Sequence, residues 1–134
     1  MPCITIPFNS DAAPTLQVAI VPPFLSGQPA PVAINTYSAL IDTGTSNTII
    51  SPRTATALGL QSIGRIPIAG VGGTVAGKAY LFMVGLQDPQ SGQIHAWWPI
   101  YGPGISTNYD VLIGRDILCR GVLVMAAGQI IFCW

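Results

Sequence analysis

The residues best placed for chemistry are Ala39-Leu40-Ile41-Asp42-Thr43-Gly44-Thr45-Ser46. Three apolar residues run into a carboxylate, which is followed by a hydroxyl, a glycine and two more hydroxyls. The apolar run reads as the buried end of a strand, and the glycine permits a tight turn just beyond it. An acid is thus held at the mouth of a core among hydrogen-bond partners. Burying a charge there is costly without such partners, so Asp42 is the first candidate for catalysis.

The other ionisable groups are few. The acids are Asp11, Asp42, Asp88, Asp110 and Asp116, with no glutamate; the bases are Arg53, Arg65, Lys78, Arg115 and Arg120, with His95 the only histidine. One carboxylate cannot be both base and acid for one attacking water. Two can, when they lie close enough to share a proton, because repulsion raises one pKa and leaves the other group ionised. Asp11, Asp88 and Asp110 lack the following Thr-Gly, and Asp116 sits in a helix start. A dyad therefore needs two copies of the chain, related by a twofold axis between their Asp42 side chains.

Composition agrees with a paired chain. Half of the 134 residues are hydrophobic and 7% are charged, against about 25% charged in ordinary soluble domains. So little charge covers a surface poorly, and part of that surface is expected to be buried on another chain. The net charge is zero with no basic run, which argues against nucleic acid as a partner. No apolar stretch is long enough for a transmembrane helix. The opening Met1-Pro2-Cys3 has no basic n-region, so no signal peptide is expected. Cys3, Cys119 and Cys133 are odd in number and lack paired spacing. They read as free buried thiols, which favours a reducing intracellular compartment.

The elements that must position Asp42 are short strands. Residues 3–8 are β-prone, and residues 15–21 alternate Leu16, Val18 and Ile20 on one face. Residues 22–31 hold four prolines and a glycine and read as a loop. Residues 32–41 form the strand leading to Asp42, and 48–51 return from it. Ser51-Pro52 opens a short helix to Leu58, with Gly59 beyond its end. Residues 63–69 and 75–86 flank the glycine-rich tip Gly70-Val71-Gly72-Gly73-Thr74 as a long hairpin. An aromatic strand spans 93–101, a brief apolar strand 111–113 stops at Gly114, and a second helix covers 115–120. A hairpin over 122–126 and 130–134 ends the chain. The pattern is one mostly-β domain over residues 1–134, a barrel or a sandwich. In the strand 93–101, His95 and Trp97 share one face and Trp98 takes the other, as core or dimer surface rather than a ligand site.

Leu40-Ile41-Asp42-Thr43-Gly44-Thr45-Ser46, the glycine-rich tip and Val111-Leu112-Ile113-Gly114-Arg115-Asp116-Ile117-Leu118 resemble, in order, the retropepsins, the dimeric aspartic proteases of retroviruses and their cellular and bacterial relatives. The resemblance implies a small closed β-barrel of the acid-protease type with one or two short helices, a single lobe that pairs as a twofold dimer. It implies an aspartic endopeptidase acting on a peptide or protein substrate, with no cofactor and no metal. Asp42, Thr43 and Gly44 would form the catalytic turn, with Thr43 bonding across the twofold. Ser46, Gly70, Val71, Gly72 and Leu112 would meet substrate, the glycine-rich tip serving as a flap with Val71 at its apex. Gly114, Arg115 and Asp116 would support the site from below. Residues 2–6 and 129–132 look like the terminal strands that interleave in the retroviral dimer.

Ser46 stands where the retroviral enzymes carry an acid, which leaves Asp116 or Asp110 to pair with Arg115. Ala69 replaces a flap glycine, and residues 87–92 are an insertion. Tyr109 and Asp110, just before Leu112, are further candidates for substrate contact. One alternative is a catalytically silent peptide-binding or dimerisation module of the same fold. Another is a phosphotransferase, since Asp42-Thr43-Gly44-Thr45 also looks like the phosphate loop of actin-like sugar kinases; that fold needs two larger lobes than 134 residues supply.

Overall fold

A computed structural model describes residues 2–29, 31, 35–70 and 72–134. Ten strands and two short helices follow one another: β1 (Cys3–Pro7), β2 (Thr15–Val21), β3 (Thr36–Ile41), β4 (Ile49–Ile50), α1 (Pro52–Ala57), β5 (Gly64–Gly70), β6 (Gly73–Gln87), β7 (Ile94–Pro103), β8 (Val111–Ile113), α2 (Arg115–Leu118), β9 (Val122–Ala126) and β10 (Gln129–Cys133). The chain is mostly β, as the Gly- and Pro-punctuated short runs predict. Of the strand expected over 32–41, the described part is β3; Val32, Ala33 and Ile34 lie outside the described residues.

The larger sheet runs β4-β8-β3-β2-β6-β5, with β7 on the other part of the long β6. It curls around a core that includes Val18, Ile20, Phe82, Val84, Ile113 and Ile117. Leu16, Val18 and Ile20 of β2 are buried as their alternation predicts, but Ala19 and Val21 are buried too, so the second half of this central strand is covered on both faces rather than half-buried. β3 and β8 are parallel neighbours, Leu40 beside Leu112 and Ile41 beside Ile113. That pairing brings two strand ends, those preceding Asp42 and Gly114, to one edge of the barrel.

Helix α1 starts as its residues dictate. Ser51 is extended, its Oγ accepts from Thr54 N–H at 3.3 Å, and Pro52 fills the first turn, where no N–H is needed. β5 and β6 form the long hairpin, closing at Gly70 opposite Gly73. Gly73 has φ +112°, a conformation open to glycine at little cost. Val71, the expected apex, lies outside the described residues.

The smaller sheet, β1-β10-β9, corrects two expectations. The first concerns the termini, expected to interleave with a partner: β1 pairs with β10 of the same chain, Cys3 opposite Cys133 and Ile6 opposite Ile130. The last hairpin provides the edge that β1 uses. Ala127-Gly128 is a two-residue turn with φ of +52° and +76°, the twist that antiparallel strands favour. It folds β10 back along β9 and offers β10's far edge to β1. The second concerns the cysteines, read as free and buried: Cys3 and Cys133 are joined by a disulfide, and Cys119 is exposed. The register sets the two Cα atoms 4.1 Å apart across the strands. A separation of 130 residues hides such a pairing from any local spacing rule. The bond removes the basis for favouring a reducing compartment.

The β6–β7 turn holds Asp88, which faces His95 at the start of β7. Asp88 accepts from Gln90 N–H at 2.8 Å, from Ser91 Oγ at 3.1 Å, and lies 3.2 Å from His95 Nε2. The Gln90 N–H first, then His95, hold the Asp88 carboxyl below the ordinary carboxylate range. Trp97 meets Phe24 edge-on and Trp98 meets Trp134, so these aromatics pack within the chain, with Trp98 buried.

Candidate active site

Asp42 leaves β3 with its N–H donated to Ile113 O at 3.0 Å, which pins the turn to β8. Its Oδ1 accepts from Gly44 N–H at 2.9 Å, so the carboxylate is oriented by its own turn. A Cβ at position 44 would sit 3.1 Å from that Oδ1, so glycine keeps the oxygen uncrowded. Asp42 is half-buried, while Thr43 and Gly44 are exposed.

Beneath this turn lies a network that residue spacing did not reveal. Thr48 is wholly buried just before β4. Its Oγ1 donates to Asp116 Oδ1 at 2.6 Å and accepts from Gly114 N–H at 3.1 Å. Its own N–H donates to Asp116 Oδ2 at 2.9 Å. Asp116 Oδ1 also accepts from Ile117 N–H at 2.9 Å, so the carboxylate stitches the 42–48 turn to the start of α2. Two backbone bonds run alongside, Arg115 N–H to Thr45 O at 2.9 Å and Asp116 N–H to Ser46 O at 3.2 Å. Gly114 makes this possible: a Cβ there would lie 2.6 Å from the Asn47 carbonyl and 2.9 Å from Thr48 N. Any side chain would push the two loops apart.

Neither acid suggested for Arg115 reaches it. Asp116 is committed to Thr48 and Ile117. Asp110 accepts from Ser38 N–H, Thr54 Oγ1 and Arg53 Nη2, and so ties β3 to α1 instead. Arg115 Nη1 donates to the carbonyl of Thr43 at 2.9 Å, steadying the Asp42 turn through its backbone.

The turn opens on a groove of about 580 Å³. Asp42, Gly44, Thr45, Ser46, Asn47 and Arg115 line its floor. The β5 segment Ile66-Pro67-Ile68-Ala69 lines it from the hairpin, with Ile49, Pro103 and Ile105 completing the wall. Of the residues expected to meet substrate, Ser46 lines this groove. Gly70 and Gly72 sit at the hairpin end just past its lining, and Leu112 lies half-buried in β8 between β3 and β4, away from the lining. The residues that sequence reading missed are Thr48 and the isoleucine-rich stretch of β5. A lone threonine before Ile49-Ile50 in a short apolar strand is the available signal for the first. Tyr109 N–H and carbonyl are both bonded to Thr107 Oγ1, a local turn away from the groove lining. Among the described residues no cluster of three or more His, Cys or acidic groups could hold a metal.

Comparison with known proteins follows the same lines. A family model described as aspartyl protease matches residues 29–90, which span Asp42 and the β5–β6 hairpin. A retropepsin-like aspartic protease from Rickettsia conorii superimposes with a TM-score of 0.61 at 16% identity, covering 98% of this chain and 90% of that one. This chain has a retropepsin-like fold. EIAV protease, in complex with the inhibitor HBY-793, superimposes with a TM-score of 0.58 at 20% identity, covering 86% and 93% of the two chains. No curated protein matches the sequence. The family match bears on the segment around Asp42 and the β5–β6 hairpin, and the two structures bear on the fold.

Proposed function

We propose that this retropepsin-like chain is an aspartic endopeptidase that works as a homodimer. The observation that carries the reading is a single half-buried carboxylate, Asp42, oriented by Gly44 N–H at the floor of an open groove. One chain supplies one such acid, and the reaction needs two. With two Asp42 groups facing across a twofold, one is ionised and takes a proton from a water held between them. The water oxygen bonds to the scissile carbonyl carbon while the other carboxyl gives its proton to the carbonyl oxygen. The C–N bond then breaks as the first carboxyl protonates the amine nitrogen and the second takes a proton back from the gem-diol hydroxyl, so the pair returns to its starting charge.

The β5–β6 hairpins, one from each copy, act as flaps over an extended peptide, pairing with its backbone and excluding water. Gly70, Val71 and Gly72 are the flap end and Ser46 a floor contact. Thr43 bonds across the twofold, and Gly114, Arg115 and Asp116 hold the floor in place. The free edge of β9 supports pairing. Val122, Val124 and Met125 are exposed there, at 55%, 43% and 46%. No charge, proline or bulge guards that edge, as such edges usually require. An isologous pairing of β9 with β9 of a second copy would cover it without opening the Cys3–Cys133 bond.

The test is hydrolysis of an unstructured protein between pH 3 and 7 by wild type and Asp42→Asn. Cleavage by wild type and loss of at least a thousandfold in Asp42→Asn are expected, as when a catalytic group is removed. Equal rates in the two proteins would overturn the reading.

A further inference from the structure

We propose that Arg115 makes the groove selective for peptides carrying an acidic side chain within about three residues of the cleaved bond, a specificity that rests on the endopeptidase reading above. Arg115 is the only cation among the groove-lining residues, and Asp42 the only anion. The other walls are apolar or neutral. The guanidinium is exposed and spends one N–H on Thr43 O. An arginine offers five N–H donors in a rigid fork. Among the described residues it has no carboxylate within ion-pair distance; the pairs found are Arg53–Asp110 and His95–Asp88. The acids nearest in sequence are each held by other partners. An unpaired guanidinium fork on the floor of a peptide groove matches a carboxylate in shape and charge.

The position is suited to a side chain rather than to the reacting carbonyl. Arg115 N–H donates to Thr45 O and Asp116 N–H to Ser46 O, so the backbone that carries this groove-lining guanidinium is fixed. Ser46 Oγ donates to Asn47 Oδ1 at 3.2 Å, and both residues line the same groove as Arg115.

The experiment profiles cleavage sites in a peptide library digested by the wild-type protein, then measures kcat/KM for paired peptides that differ by Glu or Gln at the preferred position. Enrichment of Asp and Glu at one position, and about a tenfold advantage of the Glu peptide, are expected. In Arg115→Met the rate on both peptides falls, because the Thr43 carbonyl loses its donor, but the Glu-to-Gln ratio falls to about one. Arg115→Glu reverses the ratio in favour of a Lys peptide. A merely structural arginine would lower both rates and leave the ratio unchanged, which would overturn the proposal. So would a wild-type profile with no acidic enrichment, which leaves the protease reading intact. Absence of any cleavage overturns the protease reading and this inference with it.

Discussion

Thr48→Val tests whether the buried hydroxyl is what joins the active-site turn to α2. The substitution keeps shape and volume and removes one oxygen. Thr48 Oγ1 donates to the charged Asp116 Oδ1 at 2.6 Å and accepts from Gly114 N–H at 3.1 Å, at a site with no exposure. Loss of the charge-assisted bond costs about 1.5–3 kcal/mol, and a buried N–H left without an acceptor about 1–3 kcal/mol. The added buried methyl returns about 0.8 kcal/mol. The net destabilisation is roughly 3 kcal/mol, within the 5–15 kcal/mol of a typical domain, so the variant still folds. The melting temperature should fall by roughly 10 °C. Urea denaturation should show a lower midpoint with an unchanged slope. Activity should fall further than stability explains, because the Asp42 turn loses its anchor. A midpoint shift worth under about 0.5 kcal/mol, the size of a neutral surface change, would refute the latch.

Three further outcomes are expected. Replacing Cys3 and Cys133 by serine opens a loop of 130 residues' separation and should cost about 2–5 kcal/mol in denaturant titration; unchanged stability would mean that β1 and β10 are held by pairing alone. Asp88 titrates below its unfolded value, so its contribution is present above the ordinary carboxylate range and is lost as pH falls through the folded value. Melting curves of wild type and Asp88→Asn should accordingly converge in acid and separate above about pH 4, and curves that stay parallel throughout would contradict this. Val124→Asp puts a charge on the free β9 edge and should give folded, inactive monomers in sedimentation; a persistent dimer would place the interface elsewhere.

The parts of the fold legible in the sequence are those written in neighbouring residues. An apolar run into Asp-Thr-Gly marks a strand end and its turn. Ser51-Pro52 marks a helix start through a hydroxyl and a missing N–H. Glycines between two alternating runs mark the β5–β6 hairpin. The illegible parts are contacts between distant segments. Thr48 and Asp116 are 68 residues apart, and their bond depends on β3 and β8 lying parallel. The same holds for the termini. β-prone residues at both ends suggest pairing but not with which copy; in this chain β1 pairs with its own β10, a contact between segments over a hundred residues apart. The groove's apolar wall was hidden for a similar reason. Ile66 to Ala69 read as an ordinary strand until curvature brings them over Asp42.

On the proposed reading, one chain carries half of an acid pair. This is tested most directly by mixing wild type with increasing amounts of Asp42→Asn protein, under conditions where subunits exchange, and measuring peptide cleavage at fixed wild-type concentration. Activity should fall toward zero as inactive partners capture each wild-type chain. Cleavage that stays proportional to wild-type chain alone, however much Asp42→Asn protein is present, would contradict it.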